Sequence, residues 1–106
     1  MQKLPDKLLL EIVQSRAQNQ DYNPLNFRLS ENGKHKLEYN HNNKWVKFGD
    51  KNYFDYPTYI YNYILGNISY EKAMEKRINY RKRAKSVMIK TNNKYSPSTL
   101  SYRFLW

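Results

Sequence analysis

The chain has 106 residues, of which 19 are Lys or Arg and 9 are Asp or Glu, so its formal net charge is +10. It contains no cysteine, which excludes a disulfide scaffold, a Cys-ligated zinc site and a thiol nucleophile. The length fits one small domain, and no repeat or domain boundary is evident. We expect a single α+β domain over residues 1–106, with a near-neutral scaffold in 1–70 and a basic helical segment in 71–106.

An N-terminal helix is predicted from Pro5 to about Ala17. Pro5 suits the first helical position, and Asp6 lies at the positive end of the helix dipole. Four apolar residues recur at helical spacing: Leu8, Leu9, Ile12 and Val13. Residues 18–32 keep neither the helical nor the strand period, so we expect an irregular segment there. Three apolar side chains of that segment are expected in the core: Leu25, Phe27 and Leu29.

Residues 35–48 predict a central β-hairpin with Asn42 and Asn43 as its turn, because Asn tolerates the positive φ of a type I′ turn. This turn sets five strand pairs: His41 with Lys44, Asn40 with Trp45, Tyr39 with Val46, Glu38 with Lys47, and Leu37 with Phe48. The register puts the four apolar side chains on one face and an opposite-charge pair, Glu38 and Lys47, on the other. Since two strands are only marginally stable alone, the hairpin must pack on a helix or pair with the strand edge of another chain.

A second helix is predicted to begin at Asp55 and Pro57 and to end at Gly66-Asn67. Its residues also favour β-structure, which leaves a third strand of about seven residues as the alternative. The sequence therefore leaves both a helix and a strand open for this segment.

Two more helices follow. Ser69 as N-cap, with Glu71 in the first turn, predicts a long helix that ends at about Met88. Ser96-Pro97 predicts the start of a short terminal helix. On this last helix, two large apolar residues lie at i and i+4: Leu100 and Phe104.

The basic charge is concentrated near the C-terminal end. Residues 1–70 have a net charge of +2 and residues 71–106 one of +8. Eight basic residues follow one another without an intervening acid: Lys76, Arg77, Arg81, Lys82, Arg83, Lys85, Lys90 and Lys94. Such a run is typical of a surface that binds nucleic acid or another polyanion. Because no base-reading element is evident, we expect contacts to phosphate with weak sequence specificity.

A helical wheel at about 100° per residue divides these residues. Three cations lie on the outer face: Lys72, Lys76 and Arg83. Arg77 and Arg81 fall between two apolar flanks, and two interpretations of them remain open. In the first, their stems lie on the core and their heads pair with acids such as Asp50 or Asp55. In the second, they clamp phosphates beside two possible stacking residues: Tyr70 and Tyr80.

No arrangement of residues suggests catalysis. His35 and His41 lack a third ligand at metal spacing, and there is no Gly-rich phosphate loop or nucleophile–histidine–acid set. We therefore expect no enzyme activity, no metal and no cofactor. Residues 59–68 are too short to span a bilayer, so no membrane span is expected.

Exposed aromatic and apolar residues suggest a second class of function. Leu105 and Trp106 are expected to dock as a C-terminal anchor, and Trp45 projects from the hairpin. We predict that these three residues dock onto a partner. In this alternative the basic helix meets an acidic protein surface, and the chain is a minor capsid or cement subunit.

The order of several features resembles that of small basic proteins, of uncharacterised function, from nucleocytoplasmic large DNA viruses. They are Asn32-Gly33-Lys34, the run from Lys47 to Tyr56, the stretch from Arg77 to Arg83, and the closing Phe104-Leu105-Trp106. The resemblance implies a virion-associated protein without known catalysis, present in the virion and in the host cytoplasm or nucleus during infection.

The first residues show another resemblance. The run from Leu4 to Ile12 is similar to the start of an F-box, the helical adaptor that binds a ubiquitin-ligase scaffold. It covers only these few residues, and it implies an adaptor function as a further alternative. A proline-started amphipathic helix explains the same residues.

Overall fold

The computed structural model of the protein describes residues 1–91 and 93–106 and shows, within them, four helices and a three-stranded antiparallel sheet. The helices are α1 (Asp6–Ala17), α2 (Tyr56–Ile64), α3 (Tyr70–Thr91) and α4 (Pro97–Phe104). The strands, in the order β1-β2-β3 across the sheet, are β1 (Phe27–Leu29), β2 (His35–His41) and β3 (Lys44–Asp50). The predicted α+β class is confirmed.

The hairpin of β2 and β3 has the predicted register. Leu37 lies opposite Phe48, and Tyr39 lies opposite Val46. Asn42 and Asn43 have φ angles of 52° and 64°, as a type I′ turn requires. The ladder extends beyond the prediction to a pair between His35 and Asp50.

The segment of residues 18–32, which was predicted to be irregular, contains strand β1. β1 pairs antiparallel with β2 and follows a short 3₁₀ turn, Pro24–Asn26. Three residues are too few to show a period of two, which is why the sequence pattern missed the strand. Phe27 is buried as expected and Leu29 is half-buried, but Leu25 is 84% exposed. The prediction that Leu25 belongs to the core was wrong, because this residue lies in the 3₁₀ turn and not in the strand.

Strand β1 also supplies the charge partner of Glu38. Arg28 donates two hydrogen bonds to Glu38 Oε1, at 3.0 Å from Nε and 2.8 Å from Nη2, and Ser30 Oγ donates to Oε2 at 2.9 Å. The predicted opposite-charge pair of Glu38 and Lys47 is confirmed, since the two residues lie opposite each other and the Lys47 charge lowers the pKa of Glu38, but the hydrogen-bonded cation is Arg28. The Arg28 guanidinium carbon also lies 3.6 Å from the ring centroid of Trp45.

The core lies between one face of the sheet and helices α1 and α4. Five of its large side chains are fully buried: Val13, Leu37, Phe48, Leu100 and Phe104. The Phe104 ring lies 4.8 Å from that of Phe27, edge to face. The predicted pair on the last helix, Leu100 and Phe104, is thus confirmed as part of the core.

Side-chain caps begin three of the helices where the sequence predicted. Backbone N–H groups donate to Asp55 Oδ1 at 2.9 Å, to Ser69 Oγ at 3.1 Å and to Ser96 Oγ at 3.2 Å. The Asp55 cap and the following proline favour a helix over residues 56–64, and the strand alternative was wrong. Helix α3 continues to Thr91, three residues beyond the expected end at Met88.

The end of α4 is tied to the three other helices. The last carbonyl oxygens of a helix have no partner within it. Here four consecutive main-chain oxygens each accept a hydrogen bond from outside α4, three of them from another helix and one from the turn after α1: Phe104 from Arg16 (3.0 Å), Leu105 from the Tyr56 N–H (2.9 Å), Trp106 from Arg77 Nε (2.8 Å) and Arg103 from Gln20 (3.1 Å). The predicted C-terminal anchor is confirmed, since Leu105 and Trp106 are buried in this core.

Gly49 allows Leu105 to approach β3. The residue has a φ of +79°, and a Cβ placed there would lie 2.7 Å from Leu105 Cδ1. Because Leu105 is itself buried, its side chain has little room to move away. Glycine is therefore required at this point of the strand, both for the positive φ angle and for the close contact with Leu105.

Glu38 makes the stability of the sheet depend on pH. Burial raises the pKa of Glu38, but the hydrogen bonds from Arg28 and Ser30 and the charges of Arg28 and Lys47 outweigh it, so the pKa lies below its ordinary value of 4.5. Ionised Glu38 therefore stabilises the fold above that value, and the stabilisation is lost as the pH falls through the lowered pKa.

We expect the urea-unfolding free energy of the wild type to fall more steeply between about pH 5 and pH 3 than that of Glu38→Gln. Glu31→Gln, a change at an exposed acid nearby, is the control and keeps the steep wild-type dependence. Equal slopes for the wild type and Glu38→Gln would contradict this account.

Candidate nucleic-acid interface

Three of the eight predicted binding cations are engaged within the fold. Arg77 donates to the Trp106 carbonyl, and its guanidinium carbon lies 4.6 Å from the Tyr56 ring centroid. Arg81 lies over the ring of Tyr102, at 4.3 Å. Lys94 donates to the main-chain oxygen of Asp21 at 2.8 Å and to its Oδ2 at 3.2 Å. These contacts are structural.

The expected acid partners of Arg77 and Arg81 are engaged elsewhere. Asp55 accepts from Lys36 Nζ at 2.8 Å, and Asp50 accepts from the Asn52 N–H at 2.8 Å. The prediction that these acids pair with the two arginines was wrong, because a carbonyl oxygen and aromatic faces take that place. The arginines are nevertheless half-buried against the core, as the first interpretation expected.

The two tyrosines of the second interpretation lie apart. Tyr70 contacts the ring of Tyr63 at 5.5 Å, whereas Tyr80 stacks on Trp106 at 4.2 Å with an interplanar angle of 9°. Ten residues of helix separate them, about 15 Å along the axis. They therefore do not flank one common phosphate site, and only Tyr80 lies beside the groove described below.

Arg16 joins the engaged arginines, and sequence reasoning did not single it out. Burial, followed by the positive charges of Arg77 and Arg81, lowers the pKa of the Arg16 guanidinium. The three cations converge on the C-terminal end of α4, where the helix dipole favours positive charge. One feature of the sequence could have indicated that Arg16 lies on the core side of α1. It is next to Ala17 and three residues after Val13, and both of these residues are buried.

Three other cations form a row that we call the basic stripe: Lys76, Arg83 and Lys90. They lie at i, i+7 and i+14, so they follow one face of α3 with a drift of about 20° per step. All three side chains are exposed, and none pairs with a carboxylate among residues 1–91 and 93–106. The stripe is therefore a part of the predicted surface that no carboxylate of the described residues neutralises.

Lys82 and Lys85 lie on another side of the helix. Both are exposed, and on the wheel Lys82 and Lys85 fall roughly 100° and 160° from Arg83 at the middle of the basic stripe. The eight predicted residues therefore separate into an engaged set, the basic stripe and a lateral pair, and they do not form one continuous patch.

A groove runs beside the basic stripe, and we call it the α3 groove. It has a volume of about 570 Å³, and four residues of one α3 face line its wall: Lys76, Asn79, Tyr80 and Arg83. Trp106 lies beneath Tyr80, and the loop between β3 and α2 contributes Tyr53 and Phe54 to the lining. These two aromatic residues are 70% and 40% exposed.

The charges of the α3 groove are mixed. Lys36 and Asp55 line it as an ion pair, so they cancel, and Asp50 lies on the same side. Lys76 and Arg83 on the α3 wall leave the lining with a net positive charge. Burial raises the pKa of the Tyr80 hydroxyl, and the positive charge of Arg83, which lines the same groove, partly offsets this.

The residues predicted to dock onto a partner are largely engaged within the chain. Leu105 and Trp106 are 2% and 9% exposed, so the prediction that they form an outward docking surface was wrong. They serve the anchor at the end of α4 instead. Trp45 is half-buried beneath Arg28, and its docking role stays a prediction.

The two histidines contact an aromatic ring and an amide side chain. The His41 ring stacks on Tyr95 at 3.6 Å, and His35 Nδ1 lies 3.2 Å from Asn32 Nδ2. In the described part of the chain, no three His, Cys, Asp or Glu side chains come together as a group that could hold a metal ion. Within the same part, every helix is too short or too polar to cross a membrane.

No protein-family model, curated protein or solved structure matches the chain. The resemblances to small basic viral proteins and to the start of an F-box therefore stay predictions.

The division of the arginines predicts different effects on stability. Arg77→Ala leaves the Trp106 carbonyl without its donor and removes the contact with Tyr56, so we expect a loss of about 2 kcal/mol in unfolding free energy. Arg83→Ala, on the basic stripe, should change it by less than about 0.5 kcal/mol. Urea denaturation of both variants measures the difference, and equal losses would contradict the assignment.

Proposed function

We propose that the protein is a non-enzymatic nucleic-acid-binding protein that uses the basic stripe and the α3 groove. The observation that carries the proposal is the row of exposed cations, without a carboxylate partner in the part of the chain that the structure describes, beside a groove lined by aromatic residues. Cations in such a row displace the counterions that surround phosphates, and this release drives association. The resemblance to small basic viral proteins supports a virion as the setting.

The chemistry of the basic stripe favours backbone contacts. Lys76 and Lys90 act as flexible point charges, whereas Arg83 can form a bidentate pair with one phosphate. Successive members lie about 10 Å apart along the helix, so an extended strand that follows α3 meets each of them in turn. Contacts of this kind position a nucleic acid without reading its sequence.

The α3 groove favours unpaired bases. Its volume, about 570 Å³, is that of a small-molecule pocket, which admits single bases and excludes a duplex. Tyr53 and Phe54 line the same groove as Arg83, and their side chains are exposed. Single-strand binders combine a cationic track with aromatic side chains, on which bases stack.

Removing the basic stripe should lower affinity and salt dependence together. For the triple variant Lys76→Ala, Arg83→Ala, Lys90→Ala, we expect the slope of log affinity against log salt for a single strand to fall by about 2, since each phosphate contact contributes about 0.7. Fluorescence anisotropy with a labelled oligonucleotide across a salt series measures this slope.

The matched control removes the same charge from exposed lysines elsewhere: Lys7→Ala, Lys34→Ala and Lys44→Ala. It should keep most of the wild-type slope. A wild-type affinity that hardly changes with salt, or an equal loss in both triple variants, would contradict the proposal. Absence of nucleic-acid binding together with co-sedimentation with capsid shells would favour the capsid-subunit alternative.

The aromatic wall should discriminate single strands from duplex. We expect the double variant Tyr53→Ala, Phe54→Ala to bind a single strand about tenfold more weakly, because each stacked base contributes about 1–3 kcal/mol, and to bind duplex as the wild type does. Leu25→Ala, at an exposed apolar residue far from the groove, is the control. An equal loss for single strands and duplex would argue against stacking.

A further inference from the structure

A different face of α3 carries exposed apolar side chains, and we call it the Ile78 face. Tyr70, Met74 and Ile78 follow one another at intervals of four residues, and they line a shallow groove of about 490 Å³. Tyr70 and Ile78 are 47% and 48% exposed, and Met74 is half-buried. A row of exposed apolar side chains on a surface helix indicates a contact with another molecule.

Charged residues flank this row in a specific order. Residues 71–106 contain two acids, Glu71 and Glu75, and both precede Ile78. Lys82 and Lys85 follow it. On the wheel all four lie within about 60° of Ile78, so the face has an acidic half, an apolar centre and a basic half.

This order is self-complementary when two helices run antiparallel. Glu71 and Lys85 lie seven residues before and after Ile78, and Glu75 and Lys82 lie three before and four after. An antiparallel pair centred on Ile78 therefore sets Glu71 opposite Lys85 of the second copy, and Glu75 opposite its Lys82. The two-fold axis repeats each pair, which gives four ion pairs around the apolar centre.

We propose that the Ile78 face binds a second copy of this chain, with the two α3 helices antiparallel. Parallel helices in register would set Glu71 against Glu71 and Lys85 against Lys85, which repel. Nucleic acid is disfavoured on this face by the two acids. Glu75 does contact Lys72 at 3.7 Å, but both side chains are more than half exposed, and such surface pairs contribute little.

The proposal is independent of nucleic-acid binding, because the basic stripe lies on another side of α3. Its test is sedimentation equilibrium of the full chain without nucleic acid. We expect a reversible dimer, weakened at least tenfold by Ile78→Asp, since that change buries two carboxylates at the centre of the contact. Leu25→Asp, the same chemical change at a more exposed residue, should leave the dissociation constant unchanged.

Charge exchange tests the register. Glu75→Lys and Lys82→Glu should each weaken the dimer about tenfold, because each variant turns two attractive pairs into repulsive ones. The double variant should restore the wild-type dissociation constant to within about threefold, since the pairs re-form with reversed sign. A mixture of the two single variants should likewise form a heterodimer.

These outcomes decide the proposal. A wild type that stays monomeric up to about millimolar concentration, or a dimer insensitive to Ile78→Asp, would overturn it. Failure of the double variant to recover would overturn the antiparallel register. Far-UV circular dichroism and urea unfolding of each variant establish that it is folded. The basic-stripe triple variant should remain dimeric, so loss of nucleic-acid binding and loss of the dimer are separate results.

Discussion

The four carbonyl oxygens at the end of α4 are the point at which the helices meet. Without donors from outside the helix, they would be unpaired polar groups within the core, each costing about 1–3 kcal/mol. Side chains of α1, of the turn after it and of α3, together with a backbone N–H of α2, supply these donors, and Gly49 leaves room for Leu105 against the sheet. The position of α3, and thus of every basic residue on it, depends on this junction.

The junction determines which cations of α3 are free. The side of the helix that faces α4 must satisfy a carbonyl and pack on aromatic rings, so Arg77 and Arg81 are engaged there. Two other sides of the helix are more exposed, although Tyr70 and Met74 contact Tyr63 and Tyr56 of α2. One carries the basic stripe along the α3 groove, and the other carries the Ile78 face. The cations of the basic run are thereby divided among three roles.

Local features of the fold were predictable from the sequence, and contacts between distant segments were not. The hairpin register follows from two asparagines and the alternation of apolar and polar residues around them. Each cap side chain accepts from an N–H only three residues further along the chain. β1 was missed because it is only three residues long and is defined by its hydrogen bonds to β2, which its own sequence does not indicate. The partners of Arg77, Arg16 and Lys36 are 29, 88 and 19 residues away, and no short-range pattern reports them. The basic run identified the helix of the candidate site, but only packing showed which cations are free.

Net charge limits where two copies of this chain can meet. Two molecules of charge +10 repel each other, so a contact between them must lie where cations are locally balanced. In residues 71–106 that balance exists around Glu71 and Glu75, on the Ile78 face. In the proposed dimer, pairing there leaves both basic stripes on the outer sides, where one strand of the proposed nucleic-acid ligand could engage both. Two linked sites bind one polymer more tightly than either site alone, so the proposed dimer would offset the small number of cations in each basic stripe.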